Sequence, residues 1–182
     1  MKAVMKSVSP RICEKVASGD CTILVSKTAP KCELPFKCYI YCTKAKKQDD
    51  IIWAGVCGDR GTWNEHIIGE FVCDKIEDFK CASVPYKKEN NLGYGHFVDN
   101  GVYKVNGWFE GVVFERNDKY IDTMLKNKEL SEMCLSAQQL FDYIGIGKHL
   151  YAWHISDLKI YDFPLTLDAF NLGKTPTSWR YV

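Results

Sequence analysis

The amino-acid sequence predicts a single α+β domain in which helices pack at the ends of a curved, mixed or mostly antiparallel β-barrel. Residues 22–25 and 67–76 are apolar runs typical of buried strands, and residues 36–43 alternate between apolar and polar side chains. Two short apolar segments follow serine residues, which predicts helices. A chain of 182 residues has the length of one domain and can bury a core without disulfides.

The first helix is predicted to begin at Ser9 and Pro10, because the fixed backbone angle of proline suits the first helical turn. Gly19 follows the last apolar residue of this segment and predicts its end. Residues 22–25 then have the β-branched density of a buried strand, which Pro30 ends.

The central part of the chain predicts two longer strands. In residues 36–43 one face holds Phe36, Cys38, Ile40 and Cys42, and the other holds Lys37, Tyr39, Tyr41 and Thr43. Residues 67–76 follow a charged turn and a short apolar segment. Gly69 within them predicts a bulge or a close approach of another backbone.

The second half of the chain is less regular. Residues 80–106 predict loops or short hairpins, residues 107–115 a strand, and residues 119–133 a polar helix. Ser136 and Gln139 have the spacing of a capping box and predict another helix, and residues 149–161 predict a long last strand that Pro164 ends. Residues 90–133 are acidic and predict a variable, irregular insertion.

The charge of the chain is unevenly distributed. The net charge is only +1, which argues against generic binding to nucleic acid. Residues 1–47, however, carry ten Lys or Arg and three acids, a balance of +7, and the remainder carries fourteen against twenty, a balance of −6. This asymmetry favours a phosphate-bearing partner on one face, and the alternative is a solvated surface on which the charges mix.

The nine cysteines are interpreted as free thiols. Their number is odd, no Cys-x-x-Cys pair occurs, and no apolar run has the length of a signal sequence or a membrane helix. We therefore expect a cytoplasmic protein without a metal site, a cofactor or a membrane contact.

The segment ASGDCTILVSKTAPK, residues 17–31, resembles the signature G-x-K-x-x-E-x-R of the ASCH domain, a member of the PUA-like superfamily of small β-barrels. The glycine is Gly19, but the lysine, glutamate and arginine positions hold Cys21, Leu24 and Ser26. Further segments resemble ASCH proteins common in phages and Gram-positive gut bacteria: TAPKCELPFKCYIYCTK, IIGEFVCDKI, LYAWHISDLKIYD and SWRYV.

The resemblance implies a cleft that receives a nucleotide or RNA. In some small members a motif lysine acts as or activates the nucleophile of an amidohydrolase, with a polar residue three positions later, and these positions correspond to Cys21 and Leu24. Leucine cannot transfer a proton, so we expect no family chemistry, and Cys21 and His154 are the weak candidates for a replacement catalyst. The expected cleft residues are Gly19, Cys21, Trp153, His154 and Ser156.

The residues that remain suit binding. Lysines and an arginine surround the altered motif, and two tyrosines provide aromatic faces, a combination typical of contact with a nucleic-acid backbone. The expected nucleic-acid-binding residues are Lys2, Lys6, Arg11, Lys15, Lys27, Thr28, Lys31, Tyr39, Tyr41, Lys44, Lys46 and Lys47.

Three hypotheses follow. The first is a non-catalytic module that binds DNA, RNA or a nucleoprotein complex, in its sharpest form a phage-encoded anti-CRISPR inhibitor of a type II effector nuclease in the bacterial host cell. The second is a nucleoside amidohydrolase that uses Cys21 or His154. The third is a domain that binds a modified nucleobase without reacting.

Overall fold

The structure is a computed structural model that describes residues 3–55, 58–81, 96–99, 102–105, 108–116, 119–125, 127–144 and 148–182. The described helices are α1 (Pro10–Ala17), α2 (Asn127–Glu132) and α3 (Ala137–Ile144). The described strands are β1 (Val4–Val8), β2 (Ile23–Ser26), β3 (Phe36–Cys42), β4 (Ile67–Cys73), β5 (Ile76–Cys81), β6 (His96–Asp99), β7 (Val102–Val105), β8 (Trp108–Arg116), β9 (Lys119–Leu125), β10 (His149–His154), β11 (Ser156–Leu165) and β12 (Trp179–Tyr181).

The chain divides into two compact units, and neither is a continuous stretch of sequence. Unit 1 contains Met1–Thr22, Pro30–Lys75 and His154–Val182, and unit 2 contains Ile23–Ala29 and Ile76–Trp153. Residues 90–133, the predicted insertion, belong to unit 2 as far as they are described. The assignment of the whole chain to a single domain stays a prediction.

Unit 1 contains a five-stranded sheet in the order β11-β4-β3-β1-β12. The β1–β3 pair is parallel and the other pairs are antiparallel. The predicted alternation of β3 is confirmed on its apolar face, where Phe36, Cys38, Ile40 and Cys42 are buried. The opposite face is less polar than predicted, because Tyr41 is also buried.

Helix α1 begins and ends where the sequence predicts. Pro10 occupies its first turn, and the backbone N–H of Cys13 donates to the carbonyl of Ser9 over 2.9 Å. Cys13 and Val16 are buried on one face of the helix. Gly19 follows the helix with a φ of 82°, a left-handed conformation that favours glycine.

Strand β4 confirms the prediction about Gly69. A side chain at this position would collide with the carbonyl oxygen of Lys159 on β11 and would lie 3.1 Å from the Cα of Ile160. The register between β3 and β4 also shifts beside Gly69, between Ile40 and Tyr41. Glycine is therefore required here by the close approach of the neighbouring strand.

Unit 2 contains a sheet in the order β2-β10-β5-β8-β7-β6, and β9 pairs with β8. Helices α2 and α3 close its apolar cluster, which contains Ile23, Leu130, Met133, Leu140, Ile144, Leu150 and Ala152. The capping box is confirmed: the Ser136 N–H donates to Gln139 Oε1 over 2.9 Å, and the Gln139 N–H donates to Ser136 Oγ over 3.2 Å.

Two sequence predictions about this half of the chain are wrong. Residues 119–133 are not one helix, because Lys119–Leu125 pairs with β8 as an antiparallel strand and only Asn127–Glu132 is helical. Cross-strand pairing here overrides the weak helical pattern.

The predicted last strand divides between two sheets, because β10 pairs with β5 and β11 pairs with β4. Pro164 lies within edge strand β11, where an N–H is not required.

The α+β class is confirmed, with mixed sheets and few helices. The expected barrel is not closed, because each sheet is open along the order of its described strands. Loops and hairpins were predicted for residues 80–106, of which the structure describes the end of β5 and the β6–β7 hairpin. Among the described helices, none combines the length and the apolar character needed to cross a membrane.

Candidate nucleic-acid interface

The altered motif positions lie in the protein interior. Cys21 is 1% exposed, Leu24 is 3% exposed and Ser26 is 0% exposed. The backbone N–H of Cys21 donates to the carbonyl of Lys15 over 2.9 Å, which fixes the chain as it leaves α1. The positions that hold Lys, Glu and Arg in the signature therefore hold packing residues here.

Of the expected cleft residues, Cys21 and Trp153 are buried, so neither presents an exposed reactive group. The Ser156 hydroxyl donates to the carbonyl of Val72 over 2.9 Å. His154 is half-buried, and its backbone N–H donates to Lys75 over 3.0 Å. Gly19 is exposed in the turn after α1. Because its side chain is 1% exposed, the Cys21 thiol is not accessible to a substrate in this structure, as nucleophilic catalysis requires.

Two of the expected binding residues are interior residues. Lys6 is 3% exposed, and burial lowers the pKa of its ammonium group to about 8, with the nearby thiols of Cys38 and Cys73 acting in the opposite direction. Burial raises the pKa of the Cys38 thiol and raises that of Cys73 to about 12. Tyr41 is 2% exposed. The placement of Lys6 and Tyr41 on a binding surface is therefore corrected.

Four expected cations lie at one end of unit 1, which we call the basic corner: Arg11, Lys44, Lys46 and Lys47. All four are exposed. The N–H of Thr43 donates to the carbonyl of Val8 over 2.9 Å, which brings the segment after β3 to the end of β1 and the start of α1. Arg11 Nε lies 3.8 Å from Asp50 Oδ1, in the short 3-10 helix that follows Lys47.

The other expected cations are distributed elsewhere. The Lys31 N–H donates to the Tyr181 hydroxyl over 2.6 Å, near the opposite end of β1 from the basic corner. Lys15 lies in the last turn of α1. Lys27 and Thr28 belong to unit 2, where Lys27 Nζ lies 4.9 Å from the ring centroid of Tyr143. Lys2 lies outside the described residues.

Sequence reasoning missed a hydrogen-bonded array on the outer face of the five-stranded sheet. Glu70 Oε1 accepts from Lys37 Nζ over 2.9 Å, and Oε2 accepts from the Tyr161 hydroxyl over 2.7 Å. The ring centroid of Tyr39 lies 4.6 Å from that of Phe170, at an interplanar angle of 69°. The available signal was the single acid within the apolar run of residues 67–73.

The electrostatics of this array suit binding better than proton transfer. The hydrogen bond from Tyr161 and the ion pair with Lys37 lower the pKa of Glu70, which makes it a weak base. Burial and the hydrogen bond to Glu70 raise the pKa of Tyr161, so its hydroxyl keeps its proton. Lys37 is fixed beside Glu70 with 44% of its side chain exposed.

Comparison with solved structures decides the fold. A crystal structure of an ASCH protein from Zymomonas mobilis matches with a TM-score of 0.55 and 15% identity, over 100% of this chain and 87% of the other. The chain has the ASCH fold. A serine-to-alanine variant of that protein matches with a TM-score of 0.57 and 16% identity, covering 100% and 88%, and a tyrosine-to-phenylalanine variant with 0.55 and 15%, covering 100% and 91%.

Sequence comparisons add nothing to this result. No protein-family model matches the chain, and no curated protein matches it significantly. The chain thus shares the ASCH fold, and the residues at the positions that resemble the signature, Cys21, Leu24 and Ser26, are buried.

Proposed function

We propose that this ASCH-fold protein binds nucleic acid without catalysing a reaction on it. The observation that carries the proposal is the difference in exposure between the altered motif positions and the basic corner. Cys21, Leu24 and Ser26 are interior residues, whereas the cations of the basic corner are exposed. The chain therefore lacks the signature side chains that would perform chemistry, and it has exposed cations that can contact phosphates.

The charge of the basic corner supports this proposal. Arg11 and residues 44–50 together carry four cations and two acids, Asp49 and Asp50, a balance of +2. The ion pair between Arg11 and Asp50 is weak, because its 3.8 Å separation is long and 80% of the Arg11 side chain is exposed. A phosphate group can therefore compete with Asp50 for the guanidinium group.

The test is a binding titration of duplex DNA, single-stranded DNA and RNA at two salt concentrations. The variant Lys44→Gln/Lys46→Gln/Lys47→Gln removes three charges from the basic corner. The matched control, Lys75→Gln/Lys174→Gln/Arg180→Gln, removes three exposed charges elsewhere in unit 1, at positions outside the expected binding residues. The first variant is expected to bind more weakly and to lower the slope of log K against log salt by about 2 to 3.

Absence of binding to all three nucleic acids at low salt contradicts the proposal. An equal loss in the two triple variants would mean that the basic corner is not the binding surface. Adding a type II CRISPR nuclease tests the narrower form, a phage-encoded inhibitor. That form is supported only by the opposite charge balances of residues 1–47 and 48–182, which suit simultaneous contact with a nuclease and its DNA. Full cleavage in the presence of excess protein rejects it.

The enzymatic alternative is tested separately. Turnover of an acylated nucleoside that disappears in Cys21→Ser would establish an amidohydrolase and overturn the proposal. Thermal protection by nucleosides, without turnover and without binding to longer nucleic acids, would indicate a domain that binds a modified nucleobase.

A further inference from the structure

Among the described residues, Asn64 is one of three buried polar side chains, together with Lys6 and Ser26. It lies just before β4 and is 8% exposed. A buried amide is costly unless its polar atoms have hydrogen-bond partners. The partners of Asn64 therefore show what this side chain holds in place.

One side of the Asn64 amide contacts the loop that carries three lysines of the basic corner. Nδ2 donates to the carbonyl of Thr43 over 3.3 Å and to the carbonyl of Asp50 over 3.0 Å. These two carbonyls stand at the beginning and at the end of residues 44–50, which we call the lysine loop. Because one nitrogen atom binds both carbonyls, the two ends of the lysine loop are held together.

The other side of the amide is fixed by the segment between the lysine loop and β4. Oδ1 accepts from the N–H of Ile52 over 2.9 Å and lies 3.0 Å from Thr62 Oγ1. These partners determine which way the amide points, because a backbone N–H can only donate and a carbonyl can only accept. Both N–H bonds of the Asn64 amide are thus directed to the ends of the lysine loop.

Main-chain hydrogen bonds fix the same two ends. The N–H of Thr43 donates to the carbonyl of Val8 over 2.9 Å, and the N–H of Asp50 donates to the carbonyl of Lys47 over 3.0 Å. Between these ends the side chains of the three lysines are exposed. The lysine loop therefore combines a fixed backbone with accessible charges.

A fixed backbone favours binding to phosphates. A loop that becomes ordered only when it binds loses conformational entropy at that step, and a loop that is already ordered avoids most of this loss. Asn64 is too deeply buried to contact a phosphate group itself. Any effect of its amide on binding must therefore act through the lysine loop.

We propose that Asn64 is a positioning residue for nucleic-acid binding, which holds the lysine loop in the arrangement in which Lys44, Lys46 and Lys47 contact phosphates. The inference rests on the proposed function and deepens it, because it identifies the side chain that orders the binding loop. It requires that loss of the Asn64 amide weakens binding although every charge of the basic corner remains.

The experiment is a double-mutant cycle read by fluorescence titration. The probe is whichever of duplex DNA, single-stranded DNA and RNA the unaltered protein binds most tightly. Asn64→Ala is expected to weaken binding about fivefold in the unaltered protein. In the variant Lys44→Gln/Lys46→Gln/Lys47→Gln, the same change is expected to have almost no effect, because the lysines that Asn64 positions are absent. A change that only lowered stability would act alike in both proteins.

The control is Ser7→Ala, which removes another side-chain hydrogen bond of unit 1, from Ser7 Oγ to the carbonyl of Pro176 over 2.6 Å. It is expected to bind as the unaltered protein does. Thermal melts establish that each variant is folded at the temperature of the titration.

A second measurement requires neither nucleic acid nor a folded variant. Trypsin cleaves after lysine, so the lysine loop contains its own cleavage sites. Cleavage in this loop of the unaltered protein is expected to be about tenfold slower than in a synthetic peptide of residues 40–53, because a loop fixed at both ends must open before it can be cut. Mass spectrometry of the fragments identifies each cleaved bond.

The outcomes separate the possible failures. An equal loss by Asn64→Ala in both members of the cycle, no loss in either, or an equal loss by Ser7→Ala overturns the positioning role and leaves the proposed function intact. Cleavage of the loop as rapid as that of the peptide also overturns the positioning role. Absence of binding to all three nucleic acids by the unaltered protein overturns both.

Discussion

Glu70 and Tyr161 join two strands that are 91 residues apart in sequence, through a hydrogen bond of 2.7 Å from the tyrosine hydroxyl to the carboxylate. Lys37 completes the array from a third strand. The array therefore fixes the side chains of β3, β4 and β11 on the outer face of the unit 1 sheet.

Tyr161→Phe is expected to destabilise the protein by about 1 kcal/mol at pH 7, because a half-buried carboxylate loses one of its two hydrogen-bond donors. The pKa of Glu70 is lowered in the folded state, so its contribution is present above its ordinary pKa of 4.5 and is lost as the pH falls through the folded value. Urea unfolding from pH 7 down to pH 3 should show the difference between the proteins shrinking as Glu70 is protonated. A difference that does not depend on pH would contradict this account. The control is Tyr181→Phe, which removes another tyrosine hydroxyl of unit 1.

Lys6→Met is expected to stabilise the protein by about 3 kcal/mol at pH 7, since burial lowers the lysine pKa from 10.5 to about 8 and the charged form is disfavoured inside. Below pH 8 the folded protein bears the full cost of the buried charge. Between about pH 8 and 10.5 the folded state loses this proton before the unfolded state does, so the cost disappears.

The measurement for Lys6 is the difference in unfolding free energy between the unaltered protein and Lys6→Met at several pH values. Taking the difference cancels the titration of groups that do not interact with Lys6. The difference should fall from pH 7 to pH 10, and Lys44→Met, at an exposed position, should show no such trend. A constant difference would mean that Lys6 is not the group that titrates.

Gly69→Ala is expected to destabilise the protein by about 2 to 3 kcal/mol, because the added methyl group collides with the Lys159 carbonyl and neither strand can move without breaking pairs. Gly173→Ala is the matched control, since nothing lies within 4 Å of a methyl group at that position. Thermal unfolding of both variants checks the prediction. Similar melting temperatures for the two would show that β4 and β11 separate more readily than their geometry implies.

Cys21 is expected to resist alkylation in the folded protein. Its side chain is 1% exposed, whereas Cys32 and Cys134 are partly exposed. Iodoacetamide treatment followed by peptide mapping should modify Cys32 and Cys134 first and Cys21 only after unfolding in urea. Rapid modification of Cys21 before unfolding would revive it as a candidate nucleophile.

The sequence determined the features that depend on neighbouring residues. The proline-initiated helix at Pro10–Ala17, the apolar face of Phe36–Cys42 and the capping box at Ser136 and Gln139 are local patterns, and the structure confirms each of them. The resemblance to the ASCH fold also came from the chain alone, through short segments in order, although overall identity to the solved structure is only 15%.

Only the tertiary structure decided what these elements contact. It buried Lys6 and Tyr41, converted residues 119–125 from a predicted helix to a strand, and divided the predicted last strand between two sheets. It also brought Arg60 to Phe163 and Glu70 to Tyr161. Exposure and long-range pairing depend on residues far apart along the chain, so periodicity and local propensity do not encode them.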